Sequence, residues 1–394
     1  MSQEKSELKD PAPSPEFRPF FTRVESLRGI GALTVAGYHI SGWQVNGVPL
    51  FGEHSWSGVN SLGSLLNRLA YFLFPGHAAL MMFFAISGLV LHTSLQFSPK
   101  NTGVTTLRFL IARAFRIYPI IAVAVIVAAF ASGWRIAAQG AIPAREITWT
   151  ELFSNILLIE ATINSTLWAI KVEVMMVPFI LATFFIERAY GTRIVVALAL
   201  VMTAASFVKQ DYIYPPFLHN FYAFIIGMLI PTVGRQFATG LSPVGARYAL
   251  IASVTVLLMI GQILPFYGRL TAAFEGYAAF VLLSLVTYRH HQPGMQILDW
   301  RITRMLGMAS GSYYVLHEPL LPHMAIALSA IVPIWMSLHA PLAVGLLFTA
   351  ILLILFIPIA LTGYYLVEGP SMAAGRKVTR WLNLDRAKVR FQPT

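Results

Sequence analysis

Ten apolar runs constrain this chain more than any other feature. They fall near residues 24–44, 77–96, 117–133, 166–187, 193–208, 217–233, 247–264, 271–288, 311–333 and 341–365. Such runs match a hydrocarbon layer of about 30 Å crossed at about 1.5 Å per residue of helix. A backbone in lipid must satisfy its own N–H and C=O groups, so runs of this kind are read as helices. Composition agrees. Of 394 residues, 57% are hydrophobic and 11% are charged, against about 25% charged in ordinary soluble domains. The expected fold class is therefore all-α, a polytopic integral membrane protein with about ten transmembrane helices, and a soluble globular enzyme or a disordered tail protein is excluded. With no cysteine there can be no disulfide framework, thiolate nucleophile or cysteine-ligated metal, and no metal site is expected.

The ten-run count can be tested against charge, because basic residues favour cytoplasmic loops and a miscount by one would scramble their alternation. With the N-terminus inside, the outside loops hold only Arg68, Arg135, Arg145, Lys209 and Arg269 of the 28 lysines and arginines, and Lys171 lies within a run. Both termini are thus expected to be cytoplasmic. Residues 1–23, polar and without an apolar core, read as a short N-terminal tail rather than a cleaved signal peptide; 24–366 form the membrane domain, and 367–394 a basic C-terminal tail suited to anionic lipid. The net charge of +11 follows from this one-sided distribution. It has no arrangement suited to nucleic acid, and none is expected as a partner.

An ionisable side chain inside a membrane run costs about 2.5–3.5 kcal/mol on insertion scales, so each one is a functional candidate. The candidates are His39 in the first run, Lys171 and Glu173 in the fourth, and His317 and Glu318 in the ninth, with His92 and Glu275 nearer run ends. His39 lies roughly 7–8 Å from the outer end of its run and Glu173 roughly 10 Å from the outer end of its own, so the two could meet. Arg28 stands roughly 16 Å before His39 on the same helix, and Arg113 and Arg116 flank the cytoplasmic start of the third run. Each has a structural reading as well: a helix-to-helix hydrogen bond for His39, a topology signal for the arginines. Residue physics alone yields a polar path across a helix bundle, which serves a transporter or flippase as well as an enzyme.

The words around these residues narrow the choice. Arg28-Gly-Ile-Gly-Ala-Leu-Thr-Val-Ala-Gly-Tyr-His39 resembles the Arg, ten residues, His signature of the membrane-bound acyltransferase-3 family, multipass O-acyltransferases of bacterial glycans. Phe83-Phe-Ala-Ile-Ser-Gly88 is similar to its FFxxSG segment, Arg113-Ala-Phe-Arg-Ile-Tyr-Pro119 to RxxRIxP, and Leu167-Trp-Ala-Ile-Lys-Val-Glu173 to LWSLSVE. Tyr314-Val-Leu-His317 with Pro319 resembles YLxHxP, and Val367-Glu-Gly-Pro370 resembles the closing VExP. The segments occur in the family's order over roughly residues 20–372. Three positions depart from the pattern: Lys171 stands where a small residue is usual, Val174 replaces a frequent second acid, and Gly311 replaces a tyrosine six before the late histidine.

The resemblance implies a multi-pass enzyme of the bacterial inner (plasma) membrane that uses acetyl-CoA as co-substrate, holds no permanently bound cofactor, and acylates a hydroxyl of a cell-surface or lipid-linked carbohydrate. Its partners would be the acyl-CoA donor, the carbohydrate acceptor and membrane lipids. His39 is then the expected general base, with Glu173 supporting the imidazole. Arg113, Arg116 and Arg28 are expected to grip the donor phosphates, since guanidinium groups bind such oxygens bidentately. His317, closer to the inner face, reads either as a donor-site contact or as a structural hydrogen bond, and Tyr38 and Trp168 either stack on a sugar face or anchor at the membrane interface. Ser87 and Gly88 read as a close helix-packing site. The same chemistry on a non-carbohydrate hydroxyl, such as a macrolide, stays open, as does oligomeric state.

Overall fold

The computed structural model describes residues 18–51, 59–98, 101–139, 147–209, 214–265, 268–289 and 294–384. The N-terminal tail before residue 18, Arg145, and the C-terminal basic residues beyond 384 lie outside the described residues. In chain order the helices are α1 (Arg18–Ser41), α2 (Leu62–Ala70), α3 (Gly76–Gln96), α4 (Thr102–Gln139), α5 (Trp149–Ile156), α6 (Leu167–Tyr190), α7 (Thr192–Ser206) and α8 (Pro215–Met228). They continue with α9 (Arg235–Gly240), α10 (Pro243–Ile263), α11 (Arg269–Tyr288), α12 (Arg301–Met308), α13 (Ser310–Ser329), α14 (Ile334–His339), α15 (Pro341–Gly363) and α16 (Gly369–Trp381). The protein is all-α and polytopic, and each of the ten apolar runs falls on a helix.

By length and composition, six helical stretches among the described residues can cross a membrane: Leu62–Gln96, Thr102–Ser132, Leu167–Tyr190, Pro243–Ile263, Arg269–Tyr288 and Pro341–Trp381. The pair Pro215–Met228 and Ile230–Gly240, bent by 44°, is apolar and long enough when taken together, as a broken span or a re-entrant loop. The three remaining runs fall short for physical reasons, one of length and two of apolarity. α7 has only 15 residues, while α1 and α13 are diluted by their own polar side chains: Arg23, Glu25, Arg28 and His39 on the first, His317 and Glu318 on the second.

α1 and the α12–α13 pair run side by side in the same direction. Arg23 donates from Nε and Nη2 to the two carboxylate oxygens of Asp299 at 2.9 and 2.6 Å, and the Ser26 hydroxyl donates to the Leu298 carbonyl at 2.7 Å. One helical turn on, Gly29 faces Gly307 so closely that an added Cβ on either would press on backbone of the other helix. The pairing ends at His39 and His317. α3 is packed among α1, α6, α8 and α11; Gly88 meets the Phe224 carbonyl and Gly227 the Ala85 carbonyl, where any side chain would collide with backbone. Two polar pairs tie α3 to its neighbours, His77 with Glu275 of α11, and His92 Nε2 with the Glu187 carboxylate of α6 at 2.5 Å.

α13 is fixed over four consecutive residues. The buried Glu368 carboxylate accepts from the Ser312 backbone N–H at 3.2 Å and its hydroxyl at 2.9 Å. Tyr313 donates to the Leu353 carbonyl at 3.0 Å and Tyr314 to the Thr166 carbonyl at 3.2 Å. Pro319 lacks the N–H that would bond the Val315 carbonyl four residues back, and the Asn164 side-chain amide donates to that carbonyl instead, at 2.9 Å. The first apolar run ends three residues earlier than its hydropathy suggests. After Ser41 the chain makes a two-stranded antiparallel hairpin, Gln44–Val45 with Val48–Pro49. Its turn is Asn46-Gly47, both at positive φ (55° and 77°), the left-handed pair that a two-residue hairpin favours.

Candidate active site

His39 sits in the last turn of α1, half-buried, with its Nδ1 3.1 Å from Nε2 of His317. The rings are tilted by 36° with centroids 5.1 Å apart. His317 is 1% exposed, and its Nδ1 lies 3.1 Å from the Tyr313 carbonyl oxygen one turn back on α13. His39 also lines a cavity of about 320 Å³, with Tyr38, Ser41, Trp43, Ser165 and Glu318 among its walls. The α1 terminus, the turn leading into the hairpin, the segment before α6 and α13 thus line one cavity. Glu318 was a candidate from sequence without an assigned role, and Trp43 was not singled out. For Glu318 the signal was present, an acid inside an apolar run and directly after His317; for Trp43 it was hidden by the hairpin.

A second cavity, of about 420 Å³, opens between α3, α4 and α16. Arg108, Arg113, Arg116, Arg376 and Arg380 all line it, and no acid does among the described residues. Arg113 and Arg116 are three apart on α4 and so share a face. Arg376 and Arg380, read from sequence as part of a basic tail, belong to α16 and are four apart in the same sense; α16 packs against α4, where Gly375 abuts the Phe115 ring. Arg113 and Arg116 thus share this cavity with three further arginines.

Glu173 answers to Arg113. Its Oε1 accepts from Arg113 Nη2 and, at 3.1 Å, from the Ser87 hydroxyl. The ring nitrogen partner of His39 is therefore His317, and the supporting position that the sequence reading gave to Glu173 is occupied by a residue it had placed at the donor site. Arg113 Nε is buried without a hydrogen-bond partner, although the residue also lines the arginine cavity. Arg28 is not among the residues lining the arginine cavity; it lies within electrostatic reach of Arg116, Glu173, Glu368 and Glu25 and forms a charged layer with them.

The aromatic candidates separate. Tyr38 lines the His39 cavity with its ring 5.8 Å from the imidazole. Trp168 instead packs edge-on against Phe84 at 6.3 Å, half-buried on the apolar core. Ser87 is a hydrogen-bond donor to Glu173, and Gly88 is the packing contact. Two departures from the family pattern also acquire reasons. Gly311 lies against the Glu368 carboxylate, where a Cβ would stand 2.9 Å from an oxygen, so a tyrosine could not enter without moving the acid that caps α13. Lys171 reaches out of the core to the Ile159 carbonyl at 2.5 Å and over the Tyr214 ring at 4.8 Å.

A family model described as an acyltransferase domain matches residues 21–365, nearly the whole described chain. No curated protein and no solved structure gives a match.

Proposed function

The chain belongs to the acyltransferase-3 family, and from that premise we propose that this membrane acyltransferase moves an acetyl group from cytosolic acetyl-CoA to a hydroxyl of a cell-surface or lipid-linked carbohydrate in the inner membrane. The observation that carries the reading is the pairing of two unlike cavities along one helix bundle, five guanidinium groups around one and a histidine ring opening into the other. Phosphate oxygens suit the first, because guanidinium groups meet them bidentately and a low-dielectric site strengthens the attraction. Arg113 and Arg116 take the donor phosphates, with Arg28 in the charged layer beyond them. The pantetheine arm then leads the thioester toward His39, roughly 16 Å from Arg28 along α1.

At His39 the acceptor hydroxyl transfers its proton to the imidazole as its oxygen attacks the thioester carbonyl; the C–O bond forms, the C–S bond breaks, and the imidazolium returns the proton to the departing thiolate. Tyr38 and Trp43 offer flat apolar faces, and Glu318, Ser41 and Ser165 offer polar groups, the mixture that suits a sugar ring with several hydroxyls. The test is transfer of radiolabel from acetyl-CoA in membranes carrying wild type or His39→Ala, counted in polysaccharide, lipid and small-molecule fractions. Label in a carbohydrate fraction, lost in the variant, is expected. Full transfer by His39→Ala, or no acetyl-CoA binding by the purified protein, would overturn the proposal.

A further inference from the structure

Two imidazoles 3.1 Å apart share one hydrogen, and which ring donates it is decided by a third atom. His317 Nδ1 faces the Tyr313 carbonyl oxygen at 3.1 Å. A carbonyl oxygen only accepts, so this nitrogen carries a hydrogen. Neutral His317 then has a bare Nε2, which can only accept, and the hydrogen between the rings belongs to His39 Nδ1. The consequence falls on the far edge of His39: its Nε2 is left with a lone pair, on the one ring of the two that lines the cavity. A cationic His317 would break this arrangement by setting N–H against N–H.

We infer that His317 is a positioning residue that holds His39 in the tautomer whose Nε2 accepts the hydroxyl proton. The inference rests on the proposed acetyl transfer and adds to it a second-ring device in the place where a triad uses a carboxylate. The surrounding construction supports it. Residues 312 to 315, the turn before His317, each hold a hydrogen bond to another part of the chain: Ser312 to Glu368, Tyr313 to Leu353, Tyr314 to Thr166 and Val315 to Asn164. A donor-gripping side chain needs no such framework, because a charged phosphate is attracted over a distance. A tautomer lock does, since a ring displaced by about 1 Å loses its hydrogen bond. When His39 takes the proton on Nε2, its Nδ1–H stays on His317, so the ring does not turn between accepting the proton and delivering it to sulfur.

The experiment uses the full chain in nanodiscs, with acetyl-CoA and the fraction that wild type labels. His317→Leu, which removes the acceptor, is expected to lower kcat by about 100-fold or more, in the range of losing a triad's orienting member or a ligand's supporting hydrogen bond, while KM for acetyl-CoA holds within about 2-fold. His317→Gln, whose side-chain oxygen can accept from His39 Nδ1–H, should recover to within about 10-fold of wild type. Wild type labelled with ¹⁵N in its histidine rings supplies a readout independent of any variant's folding: His39 should carry its hydrogen on Nδ1. Undiminished kcat in His317→Leu, a raised acetyl-CoA KM with kcat intact, or a His39 ring protonated on Nε2 alone would each overturn the inference. Loss of wild-type transfer, or its survival in His39→Ala, would instead strike the proposed function itself.

Discussion

The two cavities hold their key groups by opposite means. Around the arginines, charge is in excess: five guanidinium groups share the walls, and Arg113 among them is paired with the Glu173 carboxylate. Around His39, position is held by neutral hydrogen bonds, a ring against a ring and a helical turn tied down residue by residue. Coulomb attraction falls off slowly and tolerates loose geometry, whereas proton transfer needs heavy atoms within about 2.6–3.2 Å. A chain that must seize a large anion and then move one proton gains by separating the two tasks. The predictions below ask whether the tasks are as separate as the cavities are.

The largest effect belongs to the ring. His39→Ala should lower acyl transfer by about 10²–10⁴-fold, the range for a general base, and leave CoA affinity by calorimetry unchanged; an equal fall in affinity would mean that the two cavities act as one site. The arginines should behave in reverse. Arg113→Ala or Arg116→Ala should raise KM for acetyl-CoA by about 10–100-fold, since a hydrogen bond to a charged group contributes about 1.5–3 kcal/mol, with kcat held within a few fold. Initial rates across the acetyl-CoA range separate the two parameters, and a loss confined to kcat would place these residues at the chemistry.

Glu173→Gln sharpens the contrast, because it removes the acid that stands in for an anion. Breaking a fully buried pair costs about 3–5 kcal/mol; this one is partly open, with Glu173 25% and Arg113 11% exposed, so the cost should be smaller. The thermal midpoint in detergent should fall without CoA, and CoA should recover more of it than in wild type, its phosphates taking the place of the lost carboxylate. A collapse of kcat with an unchanged midpoint would instead return Glu173 to the side of His39.

These assignments explain which parts of the molecule were legible in the sequence. The apolar runs gave the helices, but the RxxR word at Arg113 and Arg116 lies well inside α4, which begins at Thr102. The error lay in the azimuth and origin of two helices. Depth along a run placed Glu173 level with His39, but which way a helix faces depends on its neighbours, and α6 turns Glu173 toward α3 and α4. His317 seemed near the cytoplasmic face because its run was counted from residue 311. The helix pair begins earlier: Asp299 pairs with Arg23 and α12 precedes α13, so counted from that contact His39 and His317 stand at similar heights. α12 escaped notice because Arg301, Thr303 and Arg304 give it the look of a loop, although Thr303, Leu306 and Gly307 are buried against its neighbours. The α16 arginines were missed for a related reason, since basic residues near a chain end read as a tail unless their partner helix is known.

The smallest expected effect tests whether α1 carries strain from one end to the other. The Arg23–Asp299 contact touches neither cavity. Hydrogen bonds from Arg23 hold the Asp299 carboxyl below its ordinary value of 3.8, with burial opposing and the charges of Arg23 and Arg304 adding to the same side. A carboxyl depressed in the folded state stabilises the protein above its unfolded value and loses that contribution as pH falls through the lower folded value. Asp299→Asn should therefore cost below about 1 kcal/mol near neutral pH, as expected for a partly exposed pair, and the gap between variant and wild type in thermal midpoint should close under acid conditions below about pH 3.8. Both kcat and KM should stay within about 2-fold, because Gly29 against Gly307 and the ties on α13 hold the helices in register without this pair. A larger fall in kcat would show that the docking of α1 on α12 reaches His39, and the position of the ring would then depend on charge after all.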